Sequence, residues 1–311
     1  MKVRLGLGLT GLPLPDAATF WRFVERCEQS DVDSLWQSDR LVSSYPHLEA
    51  MSVMAALAGA TRRLKFGMNV VVLPLRDPLV LAKECATIDF LSGGRFLPAF
   101  GVGPDQSPEW KATGRDPRGR GRQSDECLAI MTQLWRGERV THAGAHYQYT
   151  NVRITPTPVQ QPLPLWIGGS SKAAIRRTAT VGSGWLGGIQ APEQVAPVIT
   201  AIRAASTAAD RPIDPDHFGA TFSCRFGSWD DPVVQANAKV LHALAPDADP
   251  RRLAVAGDAT AILDRLREFT ATGCSKFVIR LMAATPDDLV AQLDRLCAEV
   301  LPVAHAADFA V

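Results

Sequence analysis

The chain has 311 residues, of which 46% are hydrophobic and 21% are charged, and this composition is typical of a globular enzyme. Its formal net charge of +1 gives no reason to expect a nucleic-acid partner or binding to an anionic membrane surface. No segment approaches the roughly 20 uninterrupted apolar residues that a membrane-spanning helix needs. We therefore expect a soluble, cytoplasmic protein in which any phosphate group is bound locally, by backbone amides or a few arginines.

Short apolar runs alternate with longer amphipathic segments along the whole chain. The apolar runs are rich in β-branched or aromatic residues and are followed by turn residues, which predicts strands. The predicted strands are Val3–Leu9, Ser34–Ser38, Leu64–Val72, Phe96–Gly101, Leu165–Gly168, Gly184–Leu186, Phe218–Phe226 and Lys276–Arg280. The predicted helices are Asp16–Ser30, Leu48–Ala60, Pro78–Leu91, Ser124–Trp135, Ser171–Val181, Pro192–Ala208, Asp258–Thr272 and Pro286–Val300.

Eight strands that alternate with eight helices predict an α/β fold with a parallel sheet, and the count favours a closed (β/α)8 TIM barrel. A doubly wound open sheet is the main alternative, but it usually has a G-x-G-x-x-G turn after the first strand, where this chain has GLTGLPLP. Two irregular stretches interrupt the alternation: about 136–164 after the fourth helix, and about 228–256 around the seventh strand. The simplest organisation is one domain, 1–311, with two insertions.

Cysteine and histidine spacing gives no sign of a metal site. None of the six cysteines forms a C-x-x-C pair, and most lie in predicted helices, which fits reduced, buried thiols better than disulfides. His142 and His146 are four residues apart, but they flank the sequence AGA in a predicted hairpin, where they would not share a face. We therefore predict no metal.

In a barrel of this kind the active site is built from the residues that follow the strands. The fifth junction is the most informative, because Gly168 and Gly169 allow close backbone approach and Ser170 and Ser171 can cap the next helix. The free N–H groups of that helix would bind an anion such as a phosphate. The alternative is an ordinary turn with an N-cap.

Other residues after the strands are also candidates. Gly101 and Gly103 would let a flat ring system pack against the backbone, or they would simply be loop glycines with positive φ. Trp185 is expected to form a wall of the pocket. Glu109 follows the fourth strand and would line the pocket or lie in a solvated loop, whereas Arg95, after the helix stop SGGR, is expected to be structural.

Several long motifs together resemble the superfamily of luciferase-like monooxygenases and coenzyme F-420-dependent oxidoreductases. LAKECATIDFLSGGRFLPAFGVG resembles its first signature, PLWIGGSSKAAIRRTATVGSGW its second, and RGRQSDECLAIMTQLWRGE the helix between them. DSLWQSDR and VAGDATAILDRLREFTATG extend the resemblance over nearly the whole chain. The third and fourth strand regions resemble the F-420-type subgroup most closely.

The resemblance implies that the cofactor phosphate lies at the turn after the fifth strand and that Asn69–Val70 is a cis peptide under the ring. Sugar-phosphate-oxidising and alcohol-oxidising members carry an Asp-His pair after strand two, where this chain has Asp39-Arg40. Arginine stays protonated and cannot act as the general base, so Arg40 would instead pair with an anionic group. Asp39 would orient Arg40 or contact the ring, or the two would form a surface ion pair. The candidate catalytic residues are Asp39, Arg40 and Glu109, and the candidate cofactor-binding residues are Ser38, Asp39, Asn69, Val70, Gly101, Gly103, Gly168, Gly169, Ser170, Ser171 and Trp185.

Four functions are compatible with these motifs. The first is hydride transfer between coenzyme F-420 and a small-molecule substrate. The second is an FMN-dependent monooxygenase supplied with reduced flavin by a separate reductase. A catalytically idle flavin-binding protein and a non-redox barrel enzyme are the others, although for the last only Asp39 and Glu109 offer an acid–base pair. By resemblance alone, we expect a homodimer.

Overall fold

The computed structural model describes residues 2–306 and residue 309. A parallel sheet and the helices that connect its strands make up most of it. The strands are β1 Arg4–Gly8, β2 Ser34–Gln37, β3 Lys65–Met68, β4 Val71–Val72, β5 Phe96–Leu97, β6 Ala99–Gly101, β7 Val140–Ala143, β8 Gln148–Val152, β9 Trp166–Gly168, β10 Gly184–Ile189, β11 Phe218–Phe226, β12 Ala254–Gly257 and β13 Lys276–Leu281. The α-helices are α1 Ala17–Glu28, α2 Ala50–Ala60, α3 Pro78–Ser92, α4 Pro108–Ala112, α5 Arg120–Trp135, α6 Lys172–Val181, α7 Pro192–Ala208, α8 Pro232–Leu244, α9 Pro250–Leu253, α10 Ala259–Ala271, α11 Pro286–Arg295 and α12 Leu301–Ala304. A 3₁₀ turn covers Leu73–Leu75 and a π-helical turn covers Leu296–Val300.

The large sheet has the strand order β4-β6-β9-β10-β11-β13-β1-β2-β3-β5, and β12 is added beside β11. All of its pairings are parallel. The two ends of this order are close in the chain, because residues 69–70 alone separate β3 from β4 and Pro98 alone separates β5 from β6. The sheet therefore curls back towards its own starting edge, which is consistent with a TIM-barrel-like α/β fold.

The predicted elements agree closely with the observed ones, and the differences have physical causes. β11 and α7 have the predicted bounds, and each of the other predicted strands and helices is present within a few residues. The predicted third and fourth strands are each split, the fourth at Pro98, which has no N–H to give to a neighbouring strand. The sequence did not predict α4, α9 or β12. Stretch 136–164 contains the antiparallel hairpin β7–β8, as the pattern YQYTNVRI indicated.

Side-chain caps fix where several helices begin. Asp16, Asp77 and Asp258 accept backbone N–H bonds from the first turns of α1, α3 and α10. At the other end of α3, Gly93 and Gly94 have φ values of +63° and +84°, which glycine adopts at little cost. These three helices are thus started by an acceptor side chain, and α3 is also stopped by glycines, as the sequence indicated.

Arg95 lies at the amino-terminal end of the strands, where it joins α2, α3 and β3. Its Nε donates to the Ser92 carbonyl at 2.9 Å. Its Nη1 donates to Thr61 Oγ1 at 2.6 Å and to the Leu64 carbonyl at 2.8 Å. Its Nη2 donates to the carbonyls of Ala58 at 3.1 Å and Thr61 at 2.9 Å. All five guanidinium N–H groups are therefore used, which confirms the structural role expected for this residue.

The core is apolar and contains no disulfide among the described residues. Aromatic side chains from neighbouring elements pack in it, for example Phe222, Phe269 and Phe277. All six cysteines are unpaired, and all except Cys297 are buried, which agrees with the expectation that most of the thiols are buried. Over the described ranges, none of the helices combines the length and the apolar character needed to cross a membrane.

Candidate active site

A cavity of about 580 Å³, which we call the main cavity, opens at the carboxyl ends of the parallel strands. Gly8 and Ile189, the last residues of β1 and β10, lie in its wall, as does Arg280 near the end of β13. This is the position that the barrel prediction gave for the active site. Of the predicted site residues, those in its wall are Ser38, Asp39, Arg40, Asn69, Val70, Gly103 and Glu109.

A second cavity of about 310 Å³, the corner cavity, adjoins the main cavity and shares Val70 and Gly103 with it. It contains the predicted turn Gly168–Ser171, which we call the glycine–serine corner. Ser171 caps α6, because its hydroxyl accepts the Ala174 N–H at 3.2 Å. The other N–H groups of the first turn of α6 have no acceptor within the helix, and they can bind an anion. Arg120 and Arg177 also line this cavity.

Val70 lies between two of the predicted glycines. A Cβ atom on Gly101 would be 2.7 Å from Val70 Cγ2, and one on Gly168 would be 3.0 Å from Val70 Cγ1. Both glycines therefore make room for the Val70 side chain. From the sequence, Gly101 was expected to make room for a flat ring system instead. The Asn69–Val70 peptide is cis, as the family resemblance implied. Gly103 has a φ of +70°, so it is also a loop glycine of the kind considered as the alternative.

Asp39 is held from below the main cavity. Its Oδ2 accepts the Val72 N–H at 3.0 Å, and its Oδ1 accepts a bond from Arg76 Nη2 at 2.8 Å. The same Nη2 atom contacts Glu49 at 2.8 Å. Burial opposes the charge on Arg76, but the two carboxylates outweigh it and raise the pKa of the guanidinium. Asp39, with 1% of its side chain exposed, thus pairs with Arg76 and neither orients Arg40 nor forms a surface ion pair with it.

Glu109 forms the other charged pair of the main cavity. It lies on α4 with 3% of its side chain exposed, and its Oε2 is 3.7 Å from Arg40 Nη1. Its Oε1 accepts the Leu41 N–H at 3.3 Å, and its Oε2 accepts a short hydrogen bond from the Ser107 hydroxyl. Burial raises the pKa of this carboxyl, but the Ser107 bond and the Arg40 charge oppose it, and the net result is a lowered pKa. Glu109 is therefore an ionised, buried carboxylate rather than part of a solvated loop.

Two further predicted residues are fixed by hydroxyl groups. Ser38 Oγ is 2.6 Å from Thr10 Oγ1, which follows β1. Asn69 Nδ2 donates to Thr221 Oγ1 on β11 at 3.1 Å. These bonds link residues that follow β1, β2 and β3, and a residue within β11, across the main cavity.

Trp185 lies elsewhere than predicted. Its side chain is fully buried, and it belongs to the lining of neither cavity. Its indole Nε1 donates to the Gly169 carbonyl at 2.8 Å. The ring faces the core because Trp185 is the second residue of β10, not a residue beyond its end. Trp185 therefore stabilises the glycine–serine corner by its hydrogen bond to the backbone of Gly169.

Some residues of the site were not among the sequence candidates. Thr10 is the second residue after β1, so its position alone would have identified it. Arg76 is 37 residues away from Asp39 and follows a 3₁₀ turn, and no spacing rule connects the two. His47 and Tyr45 belong to the loop after β2 and line the main cavity, but loop positions carry no pattern from which this could be read.

The family model for luciferase-like monooxygenases matches residues 3–238, which is most of the chain. The chain therefore belongs to the luciferase-like monooxygenase family, and it is an oxidoreductase. An F-420-dependent glucose-6-phosphate dehydrogenase from Beutenbergia cavernae is 28% identical over 312 residues, covering 88% of this chain and 90% of that protein. An uncharacterized protein from Mycobacterium tuberculosis is 33% identical over 159 residues, covering 51% of this chain and 54% of that protein. The chain thus matches about half the length of this curated mycobacterial relative.

Solved structures agree on the fold. An F-420-dependent secondary alcohol dehydrogenase in complex with an F-420–acetone adduct has a TM-score of 0.84 at 20% identity, covering 98% of this chain and 100% of that one. The oxygenating constituent of 3,6-diketocamphane monooxygenase from Pseudomonas putida, in complex with FMN, has a TM-score of 0.80 at 15% identity, covering 96% and 98%. At these identities the similarity establishes only the shared fold. The cofactor has to be inferred from the residues of the site.

Proposed function

We propose that the protein is a coenzyme F-420-dependent oxidoreductase that transfers hydride between the deazaflavin and a small organic substrate. The proposal includes a single (β/α)8-barrel domain over 1–311, with insertions at about 136–164 and 228–256. The dehydrogenase from Beutenbergia cavernae supports the choice of cofactor, because its similarity extends over 88% of this chain.

The observation that carries the proposal is the pair of joined cavities. The corner cavity offers an anion site at the start of α6, and the main cavity begins at the shared residues Val70 and Gly103. A molecule with a phosphodiester tail and a flat ring would place the tail at the glycine–serine corner and the ring beside the cis peptide. The residues present therefore fit a deazaflavin, whose ring when bound gives or accepts a hydride and reacts poorly with oxygen.

In this proposal the charged residues of the main cavity have separate roles. Glu109 is the group that exchanges a proton with the substrate, because it is the cavity carboxylate that is not held by a buried arginine. Arg40 is 40% exposed and keeps Glu109 ionised and oriented. Asp39 is fixed by Arg76 and positions the end of β2 and the strand at Val72.

Titration of the purified protein with coenzyme F-420 and, separately, with FMN tests the cofactor assignment. Ring fluorescence reports binding, and we expect micromolar binding of the deazaflavin. Ser170→Asp places a negative charge at the glycine–serine corner and should weaken binding about tenfold or more, because it repels the anionic tail. Thr200→Asp, on the exposed surface of α7, is the matched control and should change nothing. Absence of binding of either cofactor by the wild type would refute the proposal.

An FMN-dependent monooxygenase is the second candidate, favoured by the similarity to the FMN-bound Pseudomonas putida protein. In that case a separate reductase would supply reduced flavin. The same titration separates the two, since binding of FMN alone, followed by oxygen consumption with reduced FMN, would support the monooxygenase.

A cytoplasmic homodimer is part of the proposal. Light scattering of the purified protein should give about twice the chain mass of 33.6 kDa. A monomer mass at micromolar concentration would exclude the dimer without affecting the cofactor assignment.

A further inference from the structure

Arg280 reaches the main cavity from β13 past the end of β1, where Gly8 leaves room for its side chain. A Cβ atom on Gly8 would be 3.2 Å from Arg280 Cγ, and one on Gly11 would be 3.7 Å from Arg280 Nη2. The arginine stem therefore lies over the end of β1, and its guanidinium extends towards the loop that follows. Thr10 and Tyr45 line the cavity on the same side.

No hydrogen bond or ion pair to Arg280 is formed by any residue in the ranges 2–306 and 309, and its buried Nε has no acceptor there. Other buried arginines differ: Arg177 pairs with Asp125, and Arg225 pairs with Asp231 and Asp288. Arg280 is half-buried, and a buried N–H group without an acceptor is costly, because its desolvation is not offset by any bond. The Arg280 guanidinium therefore has hydrogen-bond donors without a described acceptor, and it lies in the wall of the main cavity.

Among the described residues, the charged side chains around the main cavity leave one arginine without a carboxylate contact. Asp39 and Glu49 share Arg76, and Glu109 faces Arg40. Arg280 is the remaining charged side chain in the wall. Burial lowers the pKa of its guanidinium, but arginine remains protonated in proteins.

We propose that Arg280 binds the carboxylate of a substrate that carries a single negative charge. The planar guanidinium forms two parallel bonds to a carboxylate, and such an anion brings only one negative charge to a wall whose other charges are already paired. A phosphate dianion would bring a second negative charge into a cavity that already contains Glu109 and Asp39, and its described wall has no lysine to offset it. The inference rests on the proposed function, since it names the class of small molecule that would exchange hydride in the main cavity.

Topology supports the same arrangement. The glycine–serine corner follows β9, whereas Arg280 is on β13, three steps further along the sheet order through β10 and β11. The anionic tail of a cofactor and the anionic group of a substrate would thus be held at separate places on the cavity wall.

Binding of benzoate to the purified protein at neutral pH tests the proposal without any cofactor, by calorimetry or ligand-observed NMR. Benzamide has the same shape without the charge, and phenyl phosphate carries the phosphate group. We expect benzoate to bind at least about tenfold more tightly than either compound, since a charge-assisted bidentate contact is worth about 1.5–3 kcal/mol. Equal binding of benzoate and benzamide, or tighter binding of phenyl phosphate, would overturn the monocarboxylate assignment.

Variants locate the binding group. Arg280→Met should weaken benzoate binding about tenfold or more, and Arg280→Lys should lose less because it keeps the charge. Arg118→Met, in which the exposed Arg118 is replaced, is the matched control and should bind as the wild type does. Undiminished benzoate binding by Arg280→Met would show that Arg280 is not the anchor.

Fluorescence titration of Arg280→Met with coenzyme F-420 separates this inference from the proposed function. We expect wild-type affinity for the cofactor, because the glycine–serine corner is unchanged. If the wild-type protein binds benzoate through Arg280 but does not bind F-420, the proposed function fails and the carboxylate site stands. If it binds F-420 but not benzoate, the reverse holds.

Discussion

The two ends of the parallel strands hold arginines in opposite states. At the amino-terminal end, Arg95 uses all five of its N–H groups on the ends of α2 and α3 and on the residue before β3. At the carboxyl end, Arg280 is half-buried beside a cavity and has no partner among the residues that the structure describes. Arg95 therefore stabilises the fold, whereas in our proposal the N–H groups of Arg280 bind a ligand.

The carboxylates repeat this contrast. Glu28, at the amino-terminal end, accepts backbone N–H bonds from Arg62 and Arg63 at 2.7 Å each and from Leu64 at 3.0 Å. Glu109, at the other end, faces the main cavity and is balanced by a half-exposed arginine. Stability is concentrated where bonding groups are saturated, and chemistry is expected where they are not. The following predictions test this difference, starting with the largest effect.

Arg95→Met should reduce the free energy of unfolding by about 3 kcal/mol or more, because it leaves several carbonyl groups near α2 and α3 without donors. Urea unfolding measures this loss. Arg118→Met removes an exposed arginine and should change stability by less than about 0.5 kcal/mol. A loss below about 1 kcal/mol for Arg95→Met would mean that the hydrogen bonds of Arg95 at the amino-terminal end of the strands do not stabilise the fold as proposed.

Glu109→Gln should lower kcat by about 100-fold or more in the proposed hydride transfer, because the amide cannot exchange a proton. Affinity for the cofactor, measured by fluorescence, should be unchanged. Because the pKa of Glu109 is lowered, the wild-type rate should hold on acidification to below its usual value of about 4.3. Glu138→Gln, at an exposed carboxylate, is the control, and equal rates for the two variants would remove Glu109 from the mechanism.

The sequence predicted the fold well because the fold depends on local signals. Turn glycines such as Gly93, caps such as Asp77 and apolar runs such as 218–226 are readable within a short window. The glycine–serine corner was found for the same reason, since its residues are adjacent in the chain. Pro98 could also have indicated that the fourth strand is split. The apolar pattern on both sides of this proline predicted one continuous strand instead.

The parts of the site that were mispredicted depend on distant partners. Asp39 was expected to interact with its neighbour Arg40, but its partner is Arg76, and Arg40 instead meets Glu109. Trp185 was expected to form a wall of the pocket at the end of the sixth strand. That strand continues to Ile189, so Trp185 lies near its beginning. Pairing of side chains across the ends of a sheet is set by strand register and loop paths, and neither is readable from one sequence.

Glu28→Gln should reduce the free energy of unfolding at neutral pH by about 1 kcal/mol, because the three N–H bonds use both carboxylate oxygens and an amide has only one oxygen to accept them. Burial raises the pKa of Glu28, but these N–H bonds outweigh it and the pKa is lowered in the folded state. The stabilisation is therefore present above the unfolded pKa of about 4.3 and is lost as pH falls through the folded value. Glu25→Gln, on the exposed face of the same helix, should show no such pH-dependent difference, and a difference for Glu28→Gln that persists in acid would contradict the assignment.

Arg280→Met should leave the melting temperature unchanged or raise it by about 2 °C, because it removes a half-buried charge that no described residue offsets and keeps most of the apolar stem. Arg225→Met is the matched comparison, since Arg225 is also largely buried but bonds to Asp231 and Asp288. That substitution should lower the melting temperature by about 4 °C or more, because it leaves two carboxylates without their partner. The sign of the difference between these two variants decides the matter: a residue retained at a cost to stability is one whose bonds are made to something other than the protein. If Arg280→Met melts as early as Arg225→Met, Arg280 is a structural residue like Arg95, and the contrast between the two ends of the strands disappears.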